Sequence, residues 1–250
     1  MSEGAPQAAL VTGGAQGLGA EIVRALHRAG YRVAIGDIAE GQATALAAAL
    51  DPSGATAIGL ALDVREQAGF EAARDRMVEA WGGADILVNN AVMTVARPVL
   101  DIPPEEFDAV LAVNLRGTFV GSQVFGRHFR DRGYGRIVNM ASLAAQNGGS
   151  ATGAHYAASK GAIITLTKVF ARDLAACGIT VNAVAPGPLD LPSVRAIVPA
   201  DKLDGLIAGI PAGRLGDPAF IADIVVQLAS PAAASVTGAT WDANGGLYMR

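Results

Sequence analysis

The chain has 250 residues, 51% of them hydrophobic and 17% charged, with a formal net charge of −4. That size and apolar content suit one large α/β domain with a sizeable core, and charges this interspersed exclude a nucleic-acid stripe or a polybasic membrane patch. One cysteine, Cys177, excludes an internal disulfide and fits a reducing compartment, and the scattered His27, His128 and His155 make no metal cluster.

Ala8 to Thr12 reads as a short strand that runs into Gly13, Gly14, Ala15, Gln16, Gly17, Leu18 and Gly19. A helix pattern with Ile22, Val23 and Leu26 follows and ends near Gly30. Strand, glycine loop and helix in that order are the context for dinucleotide binding: glycines admit a pyrophosphate to the backbone, and the helix start offers free N–H groups. The spacing is G-x-x-x-G-x-G rather than G-x-G-x-x-G. A second strand, Arg32 to Gly36, ends at Asp37, 18 residues past Gly19, followed by Ile38. An acid at that distance meets the adenosine ribose hydroxyls and repels a 2′-phosphate. With no Lys or Arg in the glycine loop or just after Asp37, the expectation is NAD rather than NADP.

Gln42 to Leu50 and Glu66 to Trp81 read as helices, and Ala57 to Leu62 as a strand closing at Asp63 and Val64. Ile86 to Val88 is a strand leading into Asn89, Asn90 and Ala91. A helix opens at Pro103 and continues to Arg132, with Asn114 in its middle. Asn competes for backbone hydrogen bonds inside a helix, so Asn114 has a local structural task or a functional one. Gly135 to Met140 is a strand followed by Ser142, and Thr180 to Ala185 a strand ending at Pro186, Gly187 and Pro188. Helices near 201–208 and 218–230 and a last strand at 240–243 complete the pattern. Apolar strands alternating with helices predict a parallel, doubly wound sheet with helices on both faces, one domain over 1–250, and residues 189–216 as a mobile substrate loop within it. Gly13, Asp37, Asp63, Asn90, Ser142 and Pro186 then share the carboxyl rim, where ligands of such sheets bind.

Ala154 to Cys177 reads as a long helix stopped by Gly178, with an apolar face at Ile163, Leu166, Phe170 and Leu174. Tyr156 and Lys160, four apart, share one side of it. A phenol titrates near 10, and a nearby cation lowers that by about 1–3 pH units, making it a usable acid/base.

In order and at these distances, T-G-G-A-Q-G-L-G at 12–19, N-N-A at 89–91, Asn114, Ser142, Y-A-A-S-K at 156–160 and P-G at 186–187 resemble the short-chain dehydrogenase/reductase family along essentially the whole chain. The resemblance implies a Rossmann-type fold of about seven strands and a catalytic set of Asn114, Ser142, Tyr156 and Lys160. Tyr156 would be the acid/base and Ser142 would bond the substrate oxygen. Lys160 would lower the Tyr pKa and hold the nicotinamide ribose, and Asn114 would steady a relay water. The cofactor would meet Gly13, Gln16, Gly17, Leu18, Gly19, Asp37, Ile38, Asn90, Ala91, Pro186, Gly187 and Leu189, with Asp63 and Val64 flanking the adenine. Two positions depart from the family pattern: Val92 stands where Gly is usual after N-N-A, and Leu191 where a Thr is usual after P-G.

Val92, Met93, Ala144, Gly149, His155 and Pro188 are the expected pocket lining. No Arg or Lys falls in 143–155, so a neutral, fairly apolar secondary alcohol or ketone is expected; Arg195 is the residue that could reverse this. The alternatives are a 3-oxoacyl carrier-protein reductase, which Asp37 argues against, and a non-catalytic dinucleotide-binding sensor. The family implies a homotetramer or homodimer. With no basic-then-apolar leader and no apolar run of the ~20 residues a span needs, a cytoplasmic protein without nucleic-acid or membrane partners is expected.

Overall fold

Strands that are apolar on both sides need cover on both faces, and the chain supplies it. The computed structural model describes residues 6–149, 152–192 and 200–249; Ser150 and Arg195 lie outside them. Seven strands form one parallel sheet: β1 (Ala8–Thr12), β2 (Arg32–Asp37), β3 (Ala57–Ala61), β4 (Ile86–Asn89), β5 (Gly135–Met140), β6 (Ile179–Pro186) and β7 (Thr240–Ala243). Their order is β3-β2-β1-β4-β5-β6-β7, so connections reverse direction between β1 and β4. Every pairing is parallel.

Alternate residues of β1 feed opposite cores. Ala9 and Val11 pack with Ile22, Val23 and Leu26 of α1 (Gly17–Arg28) and Ile221, Val225 and Leu228 of a late helix, Pro218–Ala229. Ala8 and Leu10 pack instead with Phe70 and Met77 of the helix Gln67–Trp81 and with Phe125 and Phe129. Each such side chain contributes roughly 1.5–3 kcal/mol when fully buried. Among the described residues the remaining α-helices are, in chain order, α2 (Glu40–Leu50), α3 (Gln67–Trp81), α4 (Pro104–Leu111), α5 (Gly117–Arg132), α6 (Ala144–Asn147), α7 (Ala154–Leu174), α8 (Ala200–Ala208) and α9 (Pro218–Ala229).

Two elements differ in detail from expectation. The helix expected from Pro103 to Arg132 is continuous but carries a π-helical turn, Ala112–Arg116, with Asn114 inside it. The buried face of α7 is not the apolar stripe. It consists of His155, Ser159, Lys160, Ile163, Thr167 and Ala171, while Leu166, Phe170 and Leu174 are only half-buried.

Candidate active site

The site begins at the β1–β4 seam. The Thr12 hydroxyl accepts the main-chain N–H groups of Asn90 and Ala91, both at 3.0 Å. The Asn90 amide donates to the carbonyls of Thr12 and Gly13, also at 3.0 Å. A side chain on Gly13, whose φ is +60°, would come within 2.8 Å of the Ala91 backbone, and one on Gly19 would run into the Gly13 carbonyl. Both glycines are therefore required by close packing of the loop on its neighbour. α1 starts at Gly17 with no side-chain cap from Gln16 and no acid in its first turn. Its free N–H groups and positive dipole end face the rim.

On the other side of the seam, the Lys160 ammonium donates to the Met140 carbonyl at 2.6 Å and lies 5.7 Å from the centre of the Tyr156 ring. Lys160 is almost fully buried, and lost hydration draws its pKa down to about 8. Burial raises the Tyr156 phenol above its ordinary 10.0, and a hydrogen bond with Ser142 pulls it the other way. The Lys160 ammonium stands near the phenol, but its direct hydrogen bond is to the Met140 carbonyl. Ser142 follows β5, and its hydroxyl accepts the Ala144 N–H at 3.1 Å.

Asn114 is fully buried. Its side chain accepts from the Met93 N–H at 2.7 Å and donates to the Met93 carbonyl at 2.9 Å and to Ser159 at 3.0 Å. Ser159 donates in turn to the Tyr156 carbonyl at 2.7 Å. Asn114 therefore joins the segment after β4 to the helix that carries Tyr156 and Lys160.

Asp37 is buried at the end of β2, with one carboxylate oxygen accepting from Ala15 N at 3.1 Å and the other from Ala39 N at 3.0 Å. Ile38 beside it is 79% exposed. Asp63 and Val64 lie in the segment after β3. The Asp63 carboxylate is gripped by the Arg65 guanidinium and N–H, which hold it below the usual carboxylate range. Val64 is buried in the core against Gly117, leaving only its main chain for a ligand.

Among the pocket residues, Val92 is half exposed and sits between two held backbone positions, Ala91 and Met93. Ala144 is buried, with Gly149 stacked close to it. Pro188 faces a cavity of about 460 Å³ shared with Ile210, Leu215 and Phe220. The Leu189 side chain is in the core, and Leu191 packs half-buried against it. His155 is fully buried and bonded to Glu106 at 3.2 Å, so it is a strut and not a pocket wall.

The sequence profile of the family described as Enoyl-(Acyl carrier protein) reductase matches residues 13–248. The chain is 38% identical over 244 residues to 3-oxoacyl-(acyl-carrier-protein) reductase FabG of Vibrio cholerae, covering 96% of this chain and 97% of that one. It is 40% identical to acetoacetyl-CoA reductase of Shinella zoogloeoides, covering 96% and 98%. A crystal structure of a short-chain type dehydrogenase/reductase from Mycobacterium marinum superposes with a TM-score of 0.90 at 31% identity, over 98% of this chain and 97% of that one.

The chain belongs to the short-chain dehydrogenase/reductase family. It is therefore an oxidoreductase, and sorbitol dehydrogenase of Cereibacter sphaeroides is a further relative, 35% identical over 96% of this chain and 97% of that one. Three contributors to the geometry of this short-chain dehydrogenase/reductase did not stand out in the sequence. They are the Thr12 hydroxyl, the Met140 carbonyl and Ser159. Thr12 and Ser159 carry a weak signal, a hydroxyl at an otherwise apolar buried position; a carbonyl carries none.

Proposed function

We propose that this enzyme transfers a hydride between NAD and a neutral, fairly apolar secondary alcohol or its ketone, with Tyr156 as general acid/base. The observation that carries the reading is the cluster of Tyr156, Ser142 and Lys160 on the rim beside the glycine loop. The residues present fit a dinucleotide. The loop of Gly13, Gln16, Gly17, Leu18 and Gly19 leads into an uncapped helix start suited to a pyrophosphate. Asp37, already fixed by two N–H donors, has acceptor capacity left for ribose hydroxyls and repels a 2′-phosphate. Ile38 offers an apolar surface for an adenine, and Asn90, Ala91, Pro186, Gly187 and the Leu189 main chain would border the nicotinamide end.

When bound, the oxidised dinucleotide supplies the hydride acceptor and a positive ring charge beside the phenol. Ser142 orients the substrate oxygen, and Tyr156 takes its proton. Lys160, charged at neutral pH, adds to the field that favours phenolate and reaches the nicotinamide ribose. Asn114 keeps the segment after β4 in register with α7. Residues 189–216 act as the substrate loop, and their ends meet in a bridge between Leu189 and Gly216. A homotetramer or homodimer in the cytoplasm completes the proposal; no helix among the described residues is long and apolar enough to cross a membrane.

The names of the FabG and acetoacetyl-CoA reductase relatives support a second reading, reduction of a 3-oxoacyl thioester. A panel of neutral alcohols, carboxylate-bearing alcohols and 3-oxoacyl thioesters, with NAD(H) and NADP(H), separates the two. Tyr156→Phe is expected to lower kcat by about 10²–10⁴-fold with NADH binding retained. Undiminished turnover in that variant overturns the acid/base assignment. Asp37→Asn is expected to shift the NAD-to-NADP ratio of kcat/KM toward NADP by about tenfold or more; an unchanged ratio removes Asp37 from cofactor choice.

A further inference from the structure

The hydride chemistry leaves unused a polar chain that runs from the surface into the core, Arg97–Glu106–His155, exposed at Arg97 and buried at His155. His155 lies in the first turn of α7, directly before Tyr156, and is 0% exposed. Its Nδ1 accepts the Tyr156 main-chain N–H at 2.9 Å, sharing it with the Gly153 carbonyl at 3.1 Å. Its Nε2 lies 3.2 Å from Glu106 Oε1. A main-chain N–H can only donate, so Nδ1 is bare and Nε2 carries the ring proton. Glu106 must then accept as a carboxylate. Arg97 bonds both of its oxygens, at 2.9, 3.1 and 2.8 Å, and holds it below the usual carboxylate range. Each partner has a single role, and the chain of roles leaves one tautomer.

The three residues come from three segments. Arg97 follows Val92 and Met93 in the stretch after β4, Glu106 is on α4, and His155 opens α7. A second tie runs alongside, from Gly153 N to the Val95 carbonyl at 3.0 Å.

We infer that His155 is a positioning residue: its one tautomer, set by Glu106 and Arg97, fixes the first turn of α7 and so the aim of the Tyr156 phenol. This rests on the reading of Tyr156 as the acid/base. Proton transfer needs hydrogen-bond reach, and a misplacement of about 1 Å can cost on the order of 100-fold.

His155→Asn and His155→Gln test it. The Asn carbonyl stands where Nδ1 stood and keeps an acceptor for the Tyr156 N–H. The Gln amide reaches toward Glu106, where Nε2 stood, and removes that acceptor. Both shrink the ring site, so a packing role alone would move them together. The expected result is a kcat within about threefold of the parent for His155→Asn and about tenfold or more below it for His155→Gln, with substrate KM within about twofold in both. Equal kcat values overturn the inference. In the unmodified protein, ring-nitrogen NMR is expected to find Nδ1 unprotonated and Nε2 protonated. A protonated Nδ1 overturns the inference even if a variant fails to fold. Turnover by Tyr156→Phe would instead refute the phenol's role itself. An inactive Tyr156→Phe with matching His155 variants refutes only the positioning role.

Discussion

Lys160 carries a charge at a position 3% exposed, and burial brings its pKa from 10.5 down to about 8. In the unfolded chain the same amine titrates near its ordinary value, so between pH 8 and 10.5 the unfolded state binds more protons. Stability from this group therefore rises with pH across that window, is flat below about 8, and is fully relieved above 10.5. At about 1.4 kcal/mol per pH unit the gain is about 3 kcal/mol. Measured by denaturant unfolding, the parent is expected to gain that much relative to Lys160→Met between pH 8 and 10.5. A constant difference would mean that the amine is hydrated. The spacing of Tyr156 and Lys160 was legible in the sequence because helix geometry puts residues four apart together. The sense of their pKa shifts was not. Depth of burial sets it, and that is not written in the spacing.

At the level of elements, Asn114 shows what a misfit residue can signal. A poor helix former in mid-helix marks the π-helical turn between α4 and α5, where the wider turn accommodates an amide that binds Met93 twice and Ser159 once. Asn114→Leu removes three hydrogen bonds, one buried and two partly buried, and leaves the Met93 groups without this partner. It is expected to destabilise the fold by about 3 kcal/mol, read as a lower denaturation midpoint. A midpoint within about 0.5 kcal/mol of the parent would make the amide dispensable. The apolar periodicity of α7 misled for a related reason. Thr167 is buried because its hydroxyl bonds the Ile163 carbonyl at 2.8 Å and accepts from Asn139 at 2.9 Å. Satisfied polar groups can occupy a core, and Leu166 is then left at a surface groove while Phe170 packs half-buried on the core edge. Strand positions were easier to read, since continuous apolar runs have few alternatives to a doubly covered sheet.

For the whole molecule, the exposed apolar residues of α4, α5 and α7 bear on assembly. Phe107, Phe119 and Val169 are 38–40% exposed. A groove of about 500 Å³ is lined by Leu111, Leu115, Phe119 and Leu166, with Asp108 and Arg116 also bordering it. On the proposed reading this is a face between copies of the chain. Phe119→Asp is then expected to reduce the mass seen by light scattering while leaving circular dichroism unchanged; an unaltered mass directs the search for an interface elsewhere. The Thr12 hydroxyl has a consequence of a different kind. By accepting two N–H groups across the place where the strand order turns back, it leaves the floor of the cleft no slack. Such a floor tolerates little redesign, so new selectivity has to be won from the outer walls. On the proposal that 189–216 is the substrate loop, exchanging it among relatives is the economical way to retarget the enzyme, with the seam handed on untouched.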